Sequence, residues 1–175
     1  SPDEYLASLE MKAEVLPVDG TTLDRVVDLV TKTNQFNLTT RRHSRAAVAE
    51  MAGAERGVCF AVRLADKFGD YGIVSVVLAV PANDTTLRLD TWLMSCRAMG
   101  RTLEHFVMNQ IAARARRAGY ERVLGEYLPT PKNIPVRTLL ADFGFSQDEP
   151  AGLWTLSLTF PAVLATKVGP PLRTR

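Results

Sequence analysis

Cysteine, histidine and tryptophan are scarce in this chain, with two of each among 175 residues. Two thiols, Cys59 and Cys96, cannot build the disulfide framework of a small secreted domain, so each is read as a free thiol. An excess of one charge is lacking too. The 21 Lys and Arg against 19 Asp and Glu leave a formal net charge of +2, too mild for a nucleic-acid binder, and no nucleic-acid partner is expected. No apolar run approaches the roughly 18–20 residues of a membrane helix. The opening SPDEYLASLEMKAE is polar and acidic, unlike a signal peptide. A cytoplasmic protein with no membrane partner is therefore expected. What is present, 46% hydrophobic and 23% charged residues, suits one globular domain with its own core and leaves no room for a second.

The segment from Pro2 to Leu9 reads as a helix with few apolar positions, Tyr5, Leu6 and Leu9, and little of its own to pack on; residues 1–10 are expected to be a linker helix. A strand over Lys12 to Val18 is stopped by Pro17 and the Asp19-Gly20 turn signal. Leu23, Val26, Val27 and Val30 then repeat at helical intervals behind Thr21 and Asp24, which have capping-box spacing. Thr31 to Ser44 (TKTNQFNLTTRRHS) is polar and aperiodic, a loop or broken helix rich in hydrogen-bonding side chains. A short helix, Arg45 to Ala52, precedes three extended segments, Gly57 to Leu64, Tyr71 to Val80 and Thr86 to Met94. Their turn-like interruptions predict an antiparallel meander. From Leu103 the period becomes 3.6, with Leu103, Phe106, Val107 and Ile111 on one face and Arg114 and Arg117 near the C-terminal end, where cations suit the helix dipole. Gly119 ends that helix. A strand (Arg122 to Leu128), a helix (Val136 to Asp142), a Gly144-Phe145 turn and a strand (Leu153 to Leu158) close a domain spanning 11–160. Residues 161–175 are expected to be a flexible tail.

This order of elements resembles the GNAT (acyl-CoA N-acyltransferase) fold, an α/β class with a mixed, mostly antiparallel sheet flanked by helices. Arg97-Ala98-Met99-Gly100-Arg101-Thr102 resembles that fold's pyrophosphate loop, in which glycine lets the backbone approach phosphate and free helix N–H groups attract an anion. Asn133 and Ala141-Asp142-Phe143-Gly144-Phe145 resemble its closing helix. The pattern departs twice: Thr102 stands where Gly or Ala is usual, and Leu140 stands where many such enzymes carry a general-acid tyrosine. Five blocks, SPDEYLASLEMKAEV, TKTNQFNLTTRR, VRLADKFGDYGIVSVV, LDTWLMSCRAMGRTLE and GEYLPTPKN, are similar to the C-terminal half of FkbH-like proteins. That resemblance implies an upstream HAD phosphatase-like domain. It also implies transfer of a glyceryl unit from a phosphoglycerate donor to the phosphopantetheine of an acyl carrier protein, for methoxymalonyl or tetronate polyketides. The chain has no hydrophobic strand ending in Asp-x-Asp-x-Thr, so magnesium and its ligands are expected only in the HAD domain and no metal site here.

Cys96 is the first candidate for catalysis, because Arg97 and a following helix N-terminus favour thiolate. A thioester on it would pass the acyl group to the carrier thiol; the alternative is a small buried hydrophobe. His105 is a candidate base or a structural histidine. Asn34, Gln35, Asn37, Thr39, Thr40 and Arg41 offer amides, hydroxyls and a guanidinium for a hydroxylated three-carbon acyl group, or else form a capping loop. Arg97, Gly100, Arg101, Thr102, Lys132 and Asn133 are the candidates for pantetheine, or coenzyme A, with a helix N-cap as the alternative for Asn133. Cys59, Trp92 and Trp154 read as core, His43 as part of a solvated basic patch, and Asp70 and Asp90 as turn or strand-edge structure. Two other functions stay open: coenzyme A-dependent acetyl transfer to an amine, and a non-catalytic module whose arginines 114, 116 and 117 dock the acidic carrier.

Overall fold

The structure, a computed structural model, describes residues 1–148, 152–159 and 163–170. Eight strands form one sheet in the order β1-β3-β4-β5-β6-β8-β7, with β2 paired to β5 off that path. The strands are β1 (Lys12–Pro17), β2 (Phe36–Asn37), β3 (Val58–Asp66), β4 (Gly69–Pro81), β5 (Thr86–Met94), β6 (Arg122–Glu126), β7 (Ser146–Asp148) and β8 (Leu153–Ser157), and the helices are α1 (Pro2–Ser8), α2 (Leu23–Lys32), α3 (Arg45–Ala52), α4 (Leu103–Arg117) and α5 (Leu139–Asp142). β3, β4 and β5 make the expected antiparallel meander. The only parallel pair among the described strands is β5 with β6.

Alternating side chains of the long strands feed two cores. On one face Trp92, Met94, Phe60, Leu87 and Leu89 pack with Leu103, Val107 and Ile111 of α4. On the other, Ala61, Val76, Leu78 and Leu93 meet Val26, Leu29 and Val30 of α2 and Val48 of α3. Burial of each large side chain contributes about 1.5–3 kcal/mol, so both helical layers are firmly held.

Several boundaries differ from the sequence reading, each for a local reason. The start of α2 carries no side-chain cap, so the Thr21/Asp24 capping box does not form. Instead Asp19 accepts from the backbone and hydroxyl of Thr21. The helix expected over Val136 to Asp142 is broken into a 3-10 turn, Ile134–Val136, and the single turn of α5. β2 and β7 have too few residues to show a period. α1 is better anchored than its sequence suggests: Leu9 is buried, Leu6 packs against the core, and the Lys67 amide donates to Leu9 O.

Much of the expected tail is also fixed. Asn109 clasps Leu164 through its amide nitrogen and oxygen, both at 2.8 Å. Thr166 donates to Thr102 O, Val168 is buried, and Gly169 bridges to Lys12 of β1. Residues 161–162 and 171–175 lie outside the described residues.

Candidate functional site

β5 and β6 pair at only three positions, Thr86 with Arg122, Leu87 with Val123 and Arg88 with Leu124. Beyond that row the strands part. A bulge at Asp90 helps to turn β5 away, since Leu78 faces Thr91 and Ala79 faces Leu89, leaving Asp90 without a partner on β4. The polar segment after α2 enters the gap. Phe36 and Asn37 pair with Met94 and Leu93 on the free edge of β5, and Leu128, just past β6, donates to Leu38 O.

Asn133 locks this insertion. Fully buried, it donates to Asn37 O at 3.0 Å and Leu128 O at 2.9 Å, and its oxygen accepts from the Thr130 amide and the Tyr127 hydroxyl. Both N–H groups and both lone pairs are thus engaged, which leaves none for a cofactor. Asn37 is likewise buried and turned inward, donating to Thr33 O and accepting from the amides of Thr39 and Thr40. Thr39 donates to Asp90 O. Of the residues expected to hold substrate, these two serve the insertion itself.

Asn34 and Gln35 face a different space. With Arg25, Asp28, Leu29, Lys32, Thr33, Met94 and Ser95 they line an open groove of about 380 Å³ that also contains Cys96. Cys96 begins a 3-10 turn, Cys96–Ala98, rather than standing directly before α4, and it is exposed, as is Arg97. Asp28 accepts from Arg25 at 2.7 Å and Lys32 at 2.5 Å, so two cations and one carboxylate border the groove. Lys132 lines a neighbouring groove of about 250 Å³ with Asn34, Thr40, Arg42, Thr130 and Pro131. Cys96, Asn34 and Gln35 thus line one groove, and Lys132 lines the next.

The pyrophosphate-like loop is only partly open. Gly100 takes φ +74° with clear space around it. Arg101 donates to Asp66 and lies over the Tyr71 ring. Thr102 adopts a left-handed φ of 63° and no side chain caps α4. Its hydroxyl accepts from the Lys167 amide at 2.7 Å, so the 163–170 segment covers this side of the helix start. His105, on the first turn of α4, sits 5.1 Å from the Phe143 ring and 3.7 Å from the Glu104 carboxylate. No contact joins it to Cys96. Leu140 is buried against Gly125.

The cluster that sequence reasoning passed over is at the fork of β5 and β6. Asp90 and Glu126 each stand two residues beyond the last paired row. Asp90, 4% exposed, accepts from His43 Nε2 at 2.5 Å, Arg88 Nη1 at 2.7 Å and the Thr91 hydroxyl at 2.9 Å. Arg41 donates to Glu126 at 2.6 Å and reaches within 3.8 Å of Asp90. Burial pushes the Asp90 carboxyl up, but the bonds from His43, Arg88 and Thr91 outweigh it and hold the group below its ordinary value. A signal was available, since an aspartate inside an apolar strand requires partners. Cys59, in contrast, is pushed up to about 11 by burial, and its thiol donates to Met51 O.

With this geometry in place, comparisons with known proteins identify the fold. The ribosomal-protein-S18-alanine N-acetyltransferase of Escherichia coli superposes with a TM-score of 0.62 at 12% identity, covering 86% of this chain and 96% of that one. The GNAT domain of S. lividans PAT gives 0.61 at 17% identity, covering 83% and 90%. Rv2747 from Mycobacterium tuberculosis, solved in complex with CoA, gives 0.58 at 13% identity, covering 78% and 73%. The chain therefore has the GNAT acyltransferase fold. No protein-family model and no curated protein matches it.

Proposed function

We propose that this chain is the acyl-transfer domain of a glyceryl transferase. It accepts a three-carbon hydroxyacyl group derived from phosphoglycerate on Cys96 and passes it to the phosphopantetheine thiol of an acyl carrier protein in polyketide biosynthesis. The observation that carries this reading is the setting of Cys96, an exposed thiol in a groove walled by the Asn34 and Gln35 amides and by the cations Arg25 and Lys32 about the Asp28 carboxylate. Amides and cations fit the hydroxyls and carbonyl of a glyceryl unit better than they fit an acetyl methyl.

In the first step the Cys96 sulfur bonds to the acyl carbon of a phosphoglycerate activated as its acyl phosphate, the carbon–oxygen bond to that phosphate breaks, and the departing phosphate takes up the thiol proton. In the second, the carrier sulfur attacks that thioester, the bond to Cys96 breaks, and the carrier's proton is left with the Cys96 thiolate. A HAD phosphatase-like domain, with its own magnesium, is the proposed partner that handles the donor phosphate. Arg116 and Arg117 are exposed and have no carboxylate partner among the described residues, which favours a carrier with an acidic surface.

Coenzyme A-dependent acetyl transfer is the second reading, favoured by the likeness to a CoA-bound structure of the same fold. Against it stand the buried Leu140 in place of a proton donor and the closed edge of β5. To separate them, the chain is mixed with a HAD partner, the phosphoglycerate donor and phosphopantetheinylated carrier, and intact masses are read. Glyceryl appears on the carrier and Cys96→Ala abolishes it; undiminished carrier loading by Cys96→Ala overturns the proposal.

A further inference from the structure

From the cluster at the fork of β5 and β6, we infer that His43, oriented by Asp90, is a proton-accepting catalytic centre that deprotonates the incoming nucleophile of an acyl transfer. This centre is separate from the Cys96 groove. Five residues, Thr91 to Ser95, separate Asp90 from Cys96 along the chain, and neither His43 nor Asp90 lines the groove that holds Cys96. The inference goes beyond the Cys96 relay and does not depend on it.

Three observations define the direction of proton flow. Asp90 is an ionised carboxylate held by Arg88 and Thr91 as well as by His43. A carboxylate 2.5 Å from Nε2 requires the proton on that nitrogen. The lone pair is then on Nδ1, which has no protein partner among the described residues and belongs to a ring still 20% exposed. The dyad therefore presents a base to the outside and keeps its counter-charge buried.

The groups facing the ring are limited. Arg88 and Asp90 come from β5, Arg41 from the same inserted segment, and Glu126 from β6; Cys59, on β3, is near enough to feel Asp90 and remains a neutral thiol. Two guanidinium cations are matched there by two carboxylates. A ring that gains a proton is stabilised chiefly by Asp90 in direct contact.

The step conserves atoms and charge. Nδ1 takes the proton of an X–H acceptor, a thiol, hydroxyl or amine, as X bonds to the acyl carbon of a thioester. The carbon–sulfur bond then breaks, and the imidazolium returns the proton to the leaving thiolate. Arg41, anchored by Glu126 and 3.8 Å from Asp90, brings a cation into the same cluster that suits an oxygen-bearing acyl group.

The test uses the whole chain with glyceryl-S-N-acetylcysteamine as donor and pantetheine as acceptor, alongside ¹⁵N spectra of the histidine rings. The wild type shows His43 protonated on Nε2 at neutral pH and transfers glyceryl with a rate that rises through the imidazole titration. His43→Gln lowers kcat on the order of 100-fold and removes that rise, and Asp90→Asn shifts the tautomer toward Nδ1–H. The inference is overturned by a wild-type Nδ1–H tautomer, by absence of wild-type transfer, or by a His43→Gln rate within about two-fold of wild type with the same pH profile. Intact masses from the same samples report any acyl adduct on Cys96, so its absence strikes the relay alone.

Discussion

Replacing Asn133 with alanine is the sharpest probe of how the fold builds its candidate site. The side chain is fully buried and bonds to Asn37 O, Leu128 O, the Thr130 amide and the Tyr127 hydroxyl. Three of these are backbone groups of the segments it joins. Truncation leaves them unmatched, at about 1–3 kcal/mol each where water cannot replace the amide. Allowing one of them to be rehydrated, the expected loss is about 2–6 kcal/mol, a large fraction of the roughly 5–15 kcal/mol typical of a domain. Urea unfolding reads this as a lower midpoint at unchanged slope. Amide exchange adds a local signature: Leu128, Thr39 and Thr40, whose N–H groups are bonded within this insertion, lose protection before the meander does. A loss below about 1 kcal/mol with protection intact at those three amides refutes the reasoning, because the insertion would then be held by something other than Asn133.

Alkylation by iodoacetamide at pH 8 adds a single adduct, at Cys96, because Cys59 is pushed up to about 11 by burial; peptide mapping checks the site. Gly125→Ala brings a Cβ to 3.0 Å and 3.1 Å from the two Leu140 methyls and 3.2 Å from Phe145, and thermal melts should show about 1–3 kcal/mol of destabilisation from overpacking. Asp90 titrates below its ordinary value in the folded chain, so the unfolded state binds its proton more readily. Its stabilisation is therefore present above about pH 4 and is lost as pH falls through the lower, folded value. Asp90→Asn flattens the acid side of a stability-against-pH curve.

The meander and α4 were legible because period-2 and period-3.6 patterns run long enough there to exceed chance. Cys96, Asn34 and Gln35 were singled out on local chemistry alone, and the pairing of β2 with β5 is what brings them to one groove. What escaped the sequence shares one physical character: contacts distant along the chain. β2 is two residues long and exists through pairing with β5 and the clasp of Asn133. The His43–Asp90 contact joins residues 47 apart. His43 looked like one cation among the arginines of a basic run, and Asp90 like a strand edge; only the bulge and the fork bring them together. The 163–170 segment looked flexible because its anchors, Asn109 and Thr102, lie more than 50 residues earlier.

The central claim is a covalent acyl group on Cys96, and peptide mass mapping of the whole chain after brief exposure to the HAD partner and phosphoglycerate donor, without carrier, tests it most directly. The account predicts one glyceryl addition on the peptide containing Cys96, discharged by hydroxylamine as thioesters are. A chain that remains unmodified there while glyceryl later reaches added carrier contradicts it.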